Sequence, residues 1–167
     1  MTLARPHANT ASPQDPAALR LALGRFATGV TVVTTLGNAG PVGITANSFA
    51  SLSLDPPLVL WSPARASGRF AHFVAAQSDC IHVLARDQQN LARHFARNGF
   101  DFALPEIEQG LNGTPILPGC LAHFECRQTA LHDGGDHMIV VGEILHASWR
   151  EGNPLVFLGG QYGGYSA

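Results

Sequence analysis

Apolar positions along the chain fall into short runs whose period changes several times. Leu19, Leu23 and Phe26 recur at helical spacing behind Asp15-Pro16, an N-cap acceptor followed by proline at the first helical position. This predicts a helix closing near Gly29. The runs 30–34, 42–49 and 58–61 are β-branched or apolar and separated by Gly and Pro, which predicts strands. Phe70, Phe73 and Val74 mark a short helix, 81–84 a strand, and Leu91 with Phe95 a further helix opened by Asp87 and closed near Gly99. Residues 100–119 are rich in Gly and Pro and predict a long surface excursion of the kind that often carries function. Beyond it Ala122, Phe124 and Cys126 alternate with His123, Glu125 and Arg127, the period of a half-buried strand. A second strand is predicted over 138–145, joined to the first by a hairpin at Asp133-Gly134-Gly135-Asp136, and a last apolar run, 155–158, leads into a flexible Gly-rich tail. The sum is a mainly β fold with a few short helices, and closing its sheet into a small barrel protects the edges. Residues 1–14 lack periodicity and are expected to form a mobile N-terminal arm, leaving 15–167 as the folded unit.

Composition narrows the function. The 167 residues, 46% hydrophobic, suffice for one domain that removes roughly 70% of its unfolded-chain surface from water. A charged fraction of 13% and a net charge of -2 give no footprint for a nucleic-acid backbone. All 10 basic residues are arginine, so neither a lysine Schiff base nor a Walker A loop is available. No apolar run approaches the ~20 residues of a membrane span and the first residues lack a secretory core, so a cytoplasmic protein is expected. Cys80, Cys120 and Cys126 contain no Cys-x-x-Cys pair and are expected to be free thiols.

Gly-x-Ser-x-Gly, Gly-x-Gly-x-x-Gly and His-Glu-x-x-His are all missing, so a cofactor site must be built differently. In Pro41-Val42-Gly43-Ile44-Thr45-Ala46-Asn47-Ser48, and on to Pro57, small and hydroxyl residues interrupt a strong strand and would let a flat ligand approach the backbone. From composition alone an ordinary edge strand with a polar face is the favoured account of them. Ser62-Pro63-Ala64-Arg65-Ala66-Ser67-Gly68-Arg69 offers two hydroxyls, two guanidinium groups and a helix start to a phosphate, or is a plain capped helix with solvated arginines. Arg93, His94 and Arg97 add further phosphate or ribose donors, or a solvated face. His132-Asp133-Gly134-Gly135-Asp136-His137 has the composition of a metal site, but a hairpin turn accounts for it and no metal is expected there. His137 is a turn-tip imidazole, exposed or suited to a role beside a redox cofactor, and the tyrosines of Gly159-Gly160-Gln161-Tyr162-Gly163-Gly164-Tyr165 could cover a planar ring or anchor the C-terminus.

Four segments in register, Phe26-Ala27-Thr28-Gly29-Val30-Thr31-Val32-Val33-Thr34-Thr35, the 43–57 stretch, 132–137 and 154–162, resemble the short-chain flavin reductases. The resemblance implies a Greek-key-like split β-barrel that binds FMN or FAD. It also implies a homodimer in which NADH or NADPH reduces the flavin for a separate flavin-dependent monooxygenase. By motif position Pro41, Val42, Gly43, Ile44, Thr45, Ala46, Asn47 and Ser48 would line the isoalloxazine and ribityl chain, and Ser62, Pro63, Ala64, Ser67 and Arg69 the phosphate end. His94 and Phe95 would sit at the flavin, and His137, Gln161 and Tyr162 at the nicotinamide, with His137 the catalytic residue. Gly159, Gly160 and Gln161 stand where relatives often carry a basic residue, and Arg65 stands where they use lysine. A tightly held FMN acting on another small molecule and a non-catalytic flavin-binding protein are the alternatives.

Overall fold

The computed structural model describes residues 9–104 and 106–165, so the expected arm over 1–14 lies largely outside the described residues. Helix α1 (Pro16–Leu23) starts as expected, with Asp15 Oδ1 accepting the N–H groups of Ala17 and Ala18 at 3.0 and 3.1 Å. It ends at Leu23 rather than near Gly29, because the Gly24 N–H closes back onto Arg20 O and the chain turns into β1 (Thr28–Gly29). Two hairpins follow, β2 (Thr31–Gly37) with β3 (Gly40–Ala46), and β4 (Ala50–Leu54) with β5 (Pro57–Trp61). The strand expected over 42–49 therefore stops at Ala46. Helix α2 (Phe70–Ala75), strand β6 (Ser78–Val83) and helix α3 (Gln89–Arg97) come next. The excursion carries the two-residue strands β7 (Glu108–Gln109) and β8 (Pro115–Ile116), paired with each other. Strands β9 (Ala122–Gly134) and β10 (His137–Trp149) form a ribbon of 13 residues a side around the expected hairpin, and β11 (Leu155–Leu158) pairs with β12 (Gln161–Gly164). The tail expected to be flexible is thus a strand. Its two-residue turn uses Gly159 (φ 59°) and Gly160 (φ 83°), a pair of left-handed positions that glycine takes without strain.

Seven strands form one antiparallel sheet in the order β3-β2-β6-β9-β10-β5-β4. Laid flat, its edges would lie roughly 29 Å apart at ~4.8 Å per strand. Yet the edge strands β3 and β4 are joined by residues 47–49 alone, a link of at most about 14 Å between Ala46 and Ala50. The sheet must curl until its edges nearly meet, which gives a barrel with a seam at 46–50. Irregular register between Val141 and Gly142, Ile144 and His146, and Ser51 and Ser53 supplies local bends.

Side chains from six of the seven strands converge inside: Val33, Val42, Ile44, Val59, Trp61, Ile81, Cys126 and Val140, closed by Phe73 of α2. A second cluster, Val30, Val32, Leu84, Ala92, Phe95, Leu117 and Leu155, fills the space between the outside of β2, helix α3 and the small sheet β1-β11-β12. The alternation on β2, Val32 to one cluster and Val33 to the other, is the period-two signal at work. The excursion is packed rather than loose: Thr34 Oγ1 donates to Pro115 O, and the Leu117 N–H donates to His82 Nε2 at 3.0 Å. Cys80 and Cys126 are buried, Cys120 is half-buried, and all three are free, as expected. Among the described residues no helix is long and apolar enough to cross a membrane.

Candidate active site

The seam collects the small-residue motif. β3 is stitched to β2 by ladder bonds and by Thr31 Oγ1 donating to Ala46 O at 2.8 Å, and to α3 by Thr45 Oγ1 donating to Ala92 O at 2.6 Å. The side chains of Val42 and Ile44 belong to the barrel core, so only their backbone can face a ligand. Gly43 allows the close approach of α3: a Cβ there would sit 2.6 Å from the Phe95 ring, and the Gly43 N–H donates to Gly99 O at 2.7 Å. Phe95 is buried against Phe102 with ring centroids 5.0 Å apart, so it supports β3 from beneath. His94 Nε2 lies 2.7 Å from Asp101 O. Pro41 lines a separate surface depression with Leu36, Phe102 and Leu104.

Where β3 ends, Thr45, Ala46 and Asn47 line a cleft with Val30, Ala96, Phe157 and Tyr162. Residues 45–47 and 162 are far apart in sequence and meet because β12 folds back along β11, setting Tyr162 opposite Phe157 with ring centroids 5.2 Å apart. The cleft continues along α3 past Ala96 and Tyr162 to Gln89, Arg93, Arg97, Gly160 and Gln161. Arg93 and Arg97 are one helical turn apart and put two positive charges at that end. Thr28 pairs with Phe157 of the cleft, so their side chains share a face, and Thr28 Oγ1 is buried with no hydrogen-bond partner among the described residues.

The phosphate-loop candidates lie at the far side of the seam. Ser48 Oγ accepts the Ser62 N–H at 2.9 Å, tying the seam to the end of β5. Pro63 O accepts the Met138 N–H at 3.1 Å and Ala64 bridges to His137, so the 62–64 segment lies against the β9–β10 hairpin. Ser67 Oγ accepts the Arg69 N–H at 3.3 Å. Both arginines of the segment are engaged within the chain. Arg69 Nη1 donates to Phe95 O at 2.6 Å and Nη2 to Ala96 O at 3.4 Å, capping α3, and burial lowers its pKa. Arg65 donates from Nη2 to Asp133 Oδ1 at 2.6 Å and from Nε to Gly135 O at 2.8 Å, which holds the Asp133 carboxyl below its usual range. His137 Nδ1 lies 2.7 Å from Asp136 Oδ1, and the imidazole lowers the Asp136 pKa. The structure therefore joins 45–47 with Tyr162, Ser48 with Ser62, and Pro63 and Ala64 with His137. The hydrogen-bond and pairing partners of His137 all lie in its hairpin and in the 62–64 segment. Val30, Ala96 and Phe157 are cleft residues outside the expected ligand contacts, although Val30 and Phe157 fall within the segments that carry the family resemblance.

Residues 23–166 match the family described as flavin reductase like domain. The NADH-dependent FMN reductase SmoA of Agrobacterium fabrum is 53% identical over 153 residues, 92% of this chain and 88% of that one. The flavin-dependent monooxygenase reductase subunit HsaB of Rhodococcus jostii is 43% identical over 152 residues, 90% of this chain and 78% of that one. The solved NADH:FAD oxidoreductase of Streptomyces globisporus superposes with TM-score 0.89 at 37% identity, over 97% of this chain and 100% of its own. The chain also spans 50% and 41% of two longer relatives. The seam cleft and these matches have one reading in common: the chain belongs to the flavin reductase-like domain family and is a nicotinamide-dependent flavin reductase.

Proposed function

We propose that the chain reduces FMN with NADH and passes the reduced flavin to a separate flavin-dependent monooxygenase. The observation that carries this is the seam cleft, floored by Thr45–Asn47, walled by Phe157 and Tyr162, and running on to Arg93 and Arg97. A planar ring fits where small side chains leave the backbone open, and anionic phosphates suit the arginine end. FMN and NADH follow SmoA, whose name gives both; a Streptomyces globisporus relative is named for FAD, so FAD is the rival acceptor. The monooxygenase follows HsaB, named a reductase subunit. Residues 15–167 act as the catalytic unit, as a cytoplasmic homodimer. Exposed Phe26 (78%), Leu54 (94%) and Trp149 (77%) are the apolar surface such a pairing would cover.

When bound, the flavin supplies the hydride acceptor; the protein supplies orientation and charge complementarity. Backbone N–H groups around Thr45–Ser48 would complement negative charge on a flavin ring held in the cleft. Gln161 and Tyr162 contact the dinucleotide, and His137 orients the nicotinamide or delivers a proton from the hairpin beside Pro63 and Ala64. Steady-state NADH oxidation titrated with FMN and with FAD, and repeated with NADPH, tests the assignment. Saturable, flavin-dependent turnover with higher kcat/KM for FMN and NADH is expected. Flavin binding without NADH oxidation would contradict it. His137→Ala should slow hydride transfer in stopped flow by about tenfold or more while leaving flavin affinity within about twofold.

A further inference from the structure

Away from the seam, the outer face of β6, β9 and β10 carries an unusual row of side chains. Paired positions place His82 beside His123, Cys80 beside Glu125, Ser148 beside His123, and His146 beside Glu125. The side chains of His123, Glu125 and His146 each bring one ligating atom to within 4.8 Å of the other two. Glu125 is only 7% exposed, yet among the described residues its one hydrogen bond is from the Leu111 N–H to Oε2 at 2.6 Å, and no described arginine or histidine pairs with it within 4.0 Å. A positive charge close by stabilises a buried carboxylate, and a metal ion can supply it. The two imidazoles stand too far off for direct ion pairs and near enough for one cation to reach all three groups. His82 is no ligand: its Nδ1 is 3.0 Å from Val32 O and its Nε2 accepts the Leu117 N–H. Ser148 Oγ reaches His123 at 3.0 Å (Nδ1) and 3.4 Å (Nε2), the kind of outer hydrogen bond that fixes a ligating imidazole. Gly110 leaves the carboxylate its room, since a Cβ there would lie 2.3 Å from Glu125 Oε2.

We propose that His123, Glu125 and His146 form a binding site for a zinc(II)-class divalent cation on the outer face of the barrel, separate from the seam cleft. Two imidazoles and one carboxylate are the donor set of such ions, and half-exposed geometry leaves a fourth position to water. The ion clamps the β9–β10 ribbon to the excursion, because Glu125 is also the residue that holds the Leu111 N–H.

The test uses the full chain without any histidine tag. Zinc(II) is titrated against a chromophoric chelator, with cobalt(II) titrated separately as an optical probe. One zinc per chain is expected, with cobalt giving visible d–d absorption, and His146→Ala and His123→Ala each weakening zinc at least about tenfold. His132→Ala, at the hairpin's own histidine-rich cluster, should leave zinc affinity unchanged. Zinc should raise the melting temperature of the parent and not that of His146→Ala, whose exposed position keeps the fold secure and whose NADH oxidation should match the parent. Absence of stoichiometric zinc, or zinc binding indifferent to both substitutions and therefore adventitious only, would overturn the proposal.

Discussion

Single residues fix the site's geometry to a few tenths of an ångström. Gly43 is where β3 rests on the Phe95 ring, and a methyl group there cannot be absorbed without moving α3. Gly43→Ala should cost about 1–3 kcal/mol and weaken flavin binding together, read by denaturant unfolding and by flavin fluorescence quenching. Asp79 is a different kind of constraint: it is buried with Oδ2 accepting Trp61 Nε1–H at 3.0 Å, Oδ1 has no partner, and burial pushes its pKa up to about 7. A carboxyl raised this far keeps its proton in the folded state at pH values where the unfolded chain has lost it. Its contribution to stability is therefore present near pH 4 and is lost as pH rises towards 7. Asp79→Asn should gain on the parent progressively over that window, by on the order of 4 kcal/mol at 1.36 kcal/mol per pKa unit. Buried His82 pulls the other way, its pKa lowered to about 4, so the difference between variant and parent isolates Asp79 where either curve alone would not. Chemical unfolding at several pH values from 4 to 8 measures that difference.

At the scale of elements, the hairpin that carries His137 is held by the segment after β5. Arg65 pairs with Asp133 and Gly135, while Pro63 and Ala64 pair with residues 137 and 138. The ion pair is open to solvent, so Arg65→Ala should cost less than about 1 kcal/mol in stability, measured as a melting shift. It should nonetheless slow hydride transfer in stopped flow, because it frees the loop that positions His137. Sequence pattern located this hairpin and most strands but not their lengths. Past 145 β10 is exposed on both faces, so no alternation marks it, and past 127 β9 alternates only between half-buried and exposed before its last four residues are exposed throughout. β12 has no pattern in the sequence for a related reason: Gln161-Tyr162-Gly163-Gly164 offers little side-chain signal, and its strand is made by backbone pairing with β11. The arginines of 65–69 had the composition of a phosphate grip; their engagement with Asp133 and with the α3 carbonyls depends on contacts between distant segments that no local pattern carries.

For the whole molecule, function follows from closure. Because three residues join the sheet's two edges, the barrel has a seam, and at that seam β3, α3 and β12 leave the cleft open. The encounter of 45–47 with Tyr162 was invisible to periodicity and accessible only through resemblance, since it depends on two chain segments returning to one place. Ala96 tests the claim most directly: it is exposed on α3 and lines both the ring end and the arginine end of the cleft. Ala96→Trp should fill the cleft while leaving the fold intact. The measurement is FMN affinity and NADH oxidation in that variant, beside its melting temperature. The account predicts loss of both at an unchanged melting temperature; parental flavin affinity and kcat/KM in the variant would contradict it.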